Sequence, residues 1–188
     1  TQPMAISQRT ASSCPPSAVD EYADRGHCDE INASTRRLLA AFSPDIVIIN
    51  GRWGEAPENK ITEVARFLKA HGVQKIILMA PMPDWTPDLR GLLSRMHFPK
   101  GQLPEFLEPP AQTWTATQAQ TERLRSIARS LSVQFLAPTD FLCQNNMCRI
   151  KVSEDIPDGL IASDHDHLTA QASEFLFKNN RVAAALKP

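Results

Sequence analysis

Apolar residues fall along the chain in two alternating patterns. Three segments are short and apolar, the first a continuous β-branched run: Asp45–Asn50 (DIVIIN), Gln74–Ala80 (QKIILMA) and Val133–Pro138 (VQFLAP). Runs of this length and composition predict strands buried on both faces. Between them the apolar positions recur at helical spacing. Asp29-Glu30 open a helix carrying Ile31, Leu38, Leu39 and Phe42. Pro57 opens a second, with Ile61, Val64, Ala65 and Leu68 on one stripe, and His71-Gly72 stop it. A third carries Leu124, Ile127, Ala128 and Leu131, and a last one, starting near Leu168, carries Ala172, Phe175, Leu176, Val182 and Leu186 with one gap. Met4–Thr10 is compatible with a further short strand. "DFL" and "RIKV", on either side of the segment Cys143–Cys148, read as a hairpin.

Strands alternating with helices predict an α/β fold: a three-layer αβα sandwich with a mostly parallel sheet, covered on both faces and joined by right-handed crossovers. Ligands of such sheets bind at the carboxyl ends of the strands. Asn50–Glu55 and Ala137–Phe141 are expected at that edge. The proline-rich stretch 81–115 lacks periodicity, which predicts a long loop acting as a lid or an acceptor groove. Trp85, Asp84 and Arg90 are its candidate groove residues, with Trp114, His97 and Phe98 in or beside it. Covering the core is the commoner role for such aromatics.

Composition narrows the function without naming it. The 188 residues suit a single domain, and a net charge of −1 gives no electrostatic reason for a nucleic-acid partner or an anionic membrane. No apolar run reaches the ~18–20 residues of a transmembrane helix. The chain starts at Thr1, so the expectation is that any targeting or membrane segment has been removed. The four cysteines form two local pairs, Cys14/Cys28 and Cys143/Cys148. Only the second has zinc-ribbon spacing, so two disulfides are expected ahead of free core thiols. Closing the loop 14–28 is worth ~3 kcal/mol in the chain-entropy picture, and disulfides place the chain in an oxidising compartment.

The densest chemistry lies in Ser163–Phe175 (SDHDHLTAQASEF), just ahead of the last helix. In a turn, an Asp three residues before a His folds back onto the imidazole. Asp164 then accepts from Nδ1–H and leaves Nε2 of His167 free to take a proton from a hydroxyl. Leu168 anchors the turn, Thr169 caps the helix, and His165 and Asp166 are spacers. Two other readings stay open on spacing alone: a polar capping turn, and a metal site using His165, His167, Asp164 and Asp166. His71, His97 and His27 have no acid–base partner nearby in sequence and default to structural or surface roles. Asp140, after the third strand, is a candidate supporting or capping residue.

The run DHDHLT, placed before the last helix of such a domain, resembles the final block of the SGNH (GDSL-type) esterases and acyltransferases. SSCPP (Ser12–Pro16), Cys28, PDIVIINGRW (Pro44–Trp53), APMPDW (Ala80–Trp85) and DFLCQNNMC (Asp140–Cys148) resemble one subgroup of it. These are the SGNH domains fused to the C-terminus of membrane-bound, acyltransferase-3-type sugar O-acyltransferases. The resemblance covers nearly the whole chain. It implies a flavodoxin-like, SGNH-hydrolase-like sheet and a Ser–His–Asp mechanism with His167 as general base and Asp164 as its orienting group. It implies neither cofactor nor metal. In function it implies a periplasmic domain of an inner-membrane protein that moves an acyl group, acetyl foremost, to a hydroxyl of a bacterial surface polysaccharide. The acyl donor comes from the N-terminal membrane domain and the acceptor is a glycan. The alternatives are a stand-alone esterase of the same fold and a non-catalytic glycan-positioning domain.

Two departures shape these expectations. The family's Gly-Asp-Ser nucleophile block is absent from the sequence, so the chain is expected to start ~20–30 residues into the domain, past the first strand and helix, and to be inactive alone. Ser7, Ser12 and Ser13 lack the glycine-rich turn of that block. At the oxyanion position the family's Gly-x-Asn-Asp is replaced by Gly51-Arg52-Trp53-Gly54. Arg52 is then a candidate for charge stabilisation and Trp53 for stacking on a sugar, against a surface ion pair and core packing respectively. Asn50 is a candidate donor, or a support for its turn.

Overall fold

The computed structural model describes residues 7–9, 14–19, 26–51, 58–98 and 102–187. Helix α1 (Gly26–Phe42), strand β1 (Ile46–Ile49), helix α2 (Glu58–Ala70) and strand β2 (Lys75–Met79) come first. Helix α3 (Leu89–Ser94), strand β3 (Phe106–Leu107), helix α4 (Ala111–Leu131) and strand β4 (Gln134–Leu136) follow. The chain closes with helix α5 (Thr139–Leu142), strands β5 (Cys143–Gln144) and β6 (Met147–Arg149), and helices α6 (Ala170–Phe177) and α7 (Asn180–Ala185).

The expected parallel sheet forms in the order β1-β2-β4, with Ile46 opposite Lys75 and Ile77 opposite Gln134. Side chains of β2 alternate between its faces. Ile76 and Leu78 join Ile61, Val64 and Leu68 of α2 and Leu124, Ile127 and Ala128 of α4 in one core. Ile77 turns the other way, to Leu136, Leu176 of α6 and Val182 of α7. This is the αβα layering. Each fully buried Leu or Ile in it contributes roughly 1.5–3 kcal/mol. Gly72 ends α2 at φ +80°, the left-handed conformation that glycine adopts without a Cβ penalty.

A second core lies beside the sheet. Trp85, Leu89, Leu93, Trp114, Leu142, Ile150, Leu160 and Ile161 pack together there, next to the antiparallel sheet β3-β6-β5. Leu168 packs against this core and against the α6–α7 face of the parallel sheet, so it joins the two.

Several expectations change. β1 is an edge strand among the described residues, and Ile48 is 41% exposed, so its apolar run is not covered on both faces. The stretch 81–115 is not a plain loop: it forms α3 and β3, and α4 already starts at Ala111. Asp88 caps α3 by accepting from Gly91 N at 2.6 Å. "DFL" belongs to α5, directly after Pro138, and only Cys143–Gln144 pairs with β6. The gap in the last helix is a real break: Asn179 caps α7 by accepting from Arg181 N at 2.9 Å. The Met4–Thr10 strand falls largely outside the described residues, and 7–9 carry no regular structure.

Both disulfides form. Cys14–Cys28 ties residues 14–17 to α1, where buried Asn32 accepts from Ser17 N and donates to Pro15 O, each at 3.2 Å. Cys143–Cys148 closes the β5–β6 hairpin, whose turn residues Asn145 and Asn146 both have positive φ. Asparagine tolerates that conformation better than most residues.

Candidate acid–base site

The segment 163–167 is a tight turn held from both sides. Inside it, Ser163 N donates to His167 O at 2.8 Å. From outside, Trp85 N donates to His165 O at 2.7 Å and Leu89 N to Asp164 O at 3.4 Å. The chain leaving β2 at Met79 thus reaches the turn within a few residues, which puts the turn at the carboxyl edge of the parallel sheet. That is the edge where ligands of such sheets bind.

Helix α6 starts immediately after the turn. Thr169 Oγ1 accepts from Ala172 N at 3.1 Å and donates to Leu160 O at 2.7 Å, so one hydroxyl caps the helix and fastens it to the second core. Leu168 is the apolar anchor expected of it.

Asp164 and His167 meet as the spacing predicts. Asp164 Oδ2 lies 2.7 Å from His167 Nδ1. The other carboxylate oxygen, Oδ1, accepts from the backbone N–H of His167 at 2.8 Å and of Asp166 at 3.0 Å. Partial burial pushes the Asp164 carboxyl up, but those two backbone donors and the imidazole outweigh it and bring its pKa down to about 2. An ionised acceptor at Nδ1 holds the neutral imidazole with its proton on that nitrogen. Nε2 then carries a lone pair, and among the described residues it has no hydrogen-bond partner. The His167 side chain is 74% exposed, so that lone pair is open to an incoming group. Ser163 is the hydroxyl next to the pair, and it faces the His167 carbonyl at 3.2 Å, not the imidazole.

Asp164, Asp166 and His167 also bring ligand-type atoms within 4.8 Å of one another. In this arrangement Asp164 is spent on three N–H donors, which suits an acid–base pair better than a cation shell. Cys14, His27 and Cys28 are similarly close, but both sulfurs are in the disulfide.

Other candidates settle elsewhere. Arg52 and Trp53 lie outside the described residues. Asn50 is exposed just past β1, at the carboxyl edge, without a described contact to the turn. Trp85 is 1% exposed and belongs to the second core, so it lines no groove. Trp114 is buried in the same core and points its Nε1 toward Asn146 Oδ1 at 3.4 Å. Asp84 accepts from Thr86 N, Arg90 and His97 are exposed, and Asp140 is paired with Arg125 at 3.1 Å. His71 Nδ1 lies 2.8 Å from Phe67 O, and the two rings are in contact.

Sequence reasoning named Asp166 and His165 only as spacers or as metal ligands. Asp166 Oδ1 lies 3.2 Å from His165 Nε2 and 3.3 Å from His167 Nδ1, so both residues stand against the pair.

Comparison with known proteins bears on family and fold. The family model described as "SGNH domain (fused to AT3 domains)" matches residues 2–179. No curated protein sequence matches the chain. Among solved structures, the periplasmic domain of a lipopolysaccharide acetyltransferase of Salmonella ser. Paratyphi A is similar, with a TM-score of 0.68 and 20% identity. The alignment covers 88% of this chain and 66% of that one. At that identity the likeness speaks for the fold. Among the described residues no helix is long and apolar enough to cross a membrane.

Proposed function

The chain belongs to the family of SGNH domains fused to AT3 domains, and on that premise we propose that it is the extracytoplasmic part of an O-acyltransferase. The observation that carries the reading is the 2.7 Å contact between Asp164 and His167, with Nε2 left exposed beside the carboxyl edge of the sheet.

The mechanism starts with a serine outside these 188 residues, since the sequence holds no Gly-Asp-Ser block and no described serine meets Nε2. His167 takes the proton of that hydroxyl at Nε2 as the oxygen bonds to the acyl carbon. Collapse of the adduct expels the donor's leaving group, which receives the proton back from the imidazolium. The acceptor hydroxyl then gives its proton to Nε2 and attacks the acyl-serine; collapse releases the ester and expels the serine oxygen, which takes the proton from the imidazolium, so that serine and neutral His167 are regenerated. Asp164 stays ionised throughout and holds the imidazole in the productive tautomer. An acetyl group as cargo, a surface-polysaccharide hydroxyl as acceptor and a periplasmic location are the specific form of the reading. The family fusion and the two disulfides support it.

Hydrolysis of a small acetyl ester tests this in the longer protein that includes the preceding serine. His167→Ala is expected to lower kcat by about 10³–10⁴-fold with the fold intact. Equal rates would remove the base role. The 188-residue chain alone is expected to show no serine-dependent turnover.

A further inference from the structure

The turn holds two carboxylates and two imidazoles in four consecutive residues, and the mechanism above uses only one of each. Asp166 is the more enclosed carboxylate: its side chain is 16% exposed, against 44% for Asp164. One of its oxygens, Oδ1, lies between the two rings, 3.2 Å from His165 Nε2 and 3.3 Å from His167 Nδ1. A single N–H makes one linear hydrogen bond, and at His167 the shorter contact is to Asp164. Asp166 therefore meets the Nδ1 edge of His167 as a charge. His165, whose Nδ1 also faces Asp164 Oδ1 at 4.0 Å, lies beside the buried Asp166 Oδ1 without a hydrogen bond to it.

We propose that Asp166 is a second positioning residue for His167, with His165 beside it, so that two carboxylates share the Nδ1 edge of the general base. The inference rests on the reading of His167 as that base. Its physical content is electrostatic. A negative charge at this edge favours the proton on Nδ1 over Nε2. It also stabilises the imidazolium that forms when Nε2 takes a proton. Being less solvated, Asp166 is less screened than Asp164. The segment packed on the turn carries Asp84 and Asp88, which accept from Thr86 N and Gly91 N, and the exposed Arg90. The backbone N–H of Asp166 donates to Asp164 Oδ1, a bond that survives any side-chain substitution except proline.

Two measurements test this. In the ¹⁵N-labelled 188-residue chain, long-range proton–nitrogen correlation reads the tautomer of neutral His167. Wild type is expected to be Nδ1-protonated, Asp166→Asn to shift measurably toward Nε2–H, and Asp166→Glu to restore the wild-type pattern. If Asp166→Asn does not fold, His165→Ala is expected to show a smaller shift in the same direction. In the longer protein, Asp166→Asn is expected to lower kcat roughly 10-fold with KM unchanged, short of losing a fully engaged electrostatic partner. An unchanged tautomer together with an unchanged kcat would overturn the inference. The two failures are separable. An active His167→Ala enzyme sinks the general-base reading. An inactive His167→Ala beside a fully active Asp166→Asn sinks only the role of Asp166.

Discussion

Leu124 and Trp85 are about equally buried, at 0% and 1% exposure, but they stand in differently made regions. Leu124 sits in the layer between the parallel sheet and helices α2 and α4, where each contact repeats one helical turn or two strand residues along. Trp85 sits in the second core, assembled from single residues of several segments, and its backbone N–H holds the carbonyl of His165. The regular layer supplies stiffness and the carboxyl edge. The irregular core holds the turn that carries Asp164 and His167. Stability and function are therefore expected to separate on mutation.

The strongest way to break that separation is a matched pair. Trp85→Ala is expected to cost about 3–5 kcal/mol and Leu124→Ala about 2–5 kcal/mol, read by denaturant unfolding. Only Trp85→Ala should also loosen the Asp164–His167 contact, seen as a changed His167 tautomer signal under conditions where both variants remain folded. If both change that signal alike, the two regions are one unit.

A finer probe is the shared hydroxyl at the start of α6. Thr169→Ala removes the cap on Ala172 N and the bond to Leu160 O, and is expected to cost about 1 kcal/mol in the same unfolding measurement. Thr169→Ser should restore most of it.

The smallest effect is in pH. The Asp164 carboxyl is held at about 2 in the fold, below the 3.8 of an unperturbed aspartate. A depressed pKa contributes stability that is fully present above the unfolded value and is lost as pH falls from there toward the folded one. Acid melts of Asp164→Asn should lack that component between about 3.8 and about 2. The difference is expected to be small, because the carboxylate is half-exposed and screened. Identical acid profiles would mean that the turn does not hold the carboxylate in solution.

Much of the regular layer was legible in the sequence, because continuous apolar runs and 3.6-residue stripes are local signals. Its three described strands, α2 and the apolar stripe of α4 fall where that pattern puts them, as does the Asp164–His167 pair, whose spacing in a turn leaves little freedom. The irregular core was not legible for the opposite reason. α3 is a helix of 6 residues, too short to show a period, and its partners Trp114, Leu142 and Leu160 are distant in sequence. "DFL" was misread because an apolar triplet suits a strand as well as one helical turn. The exposure of Ile48 depends on what lies beside β1, which the run itself does not encode. Asp166 was passed over because spacing predicts which residues are near, not which way an aspartate at the adjoining position turns. His165 was passed over with it.

The central claim is that Asp164 and His167 activate a serine. The most direct measurement is covalent labelling of the longer protein by a fluorophosphonate probe, followed by intact mass and peptide mapping. The account predicts one labelled serine upstream of residue 1, with a labelling rate about 10³-fold lower or more in His167→Ala. Labelling at the same rate in His167→Ala, or no labelling of the wild type, would contradict it.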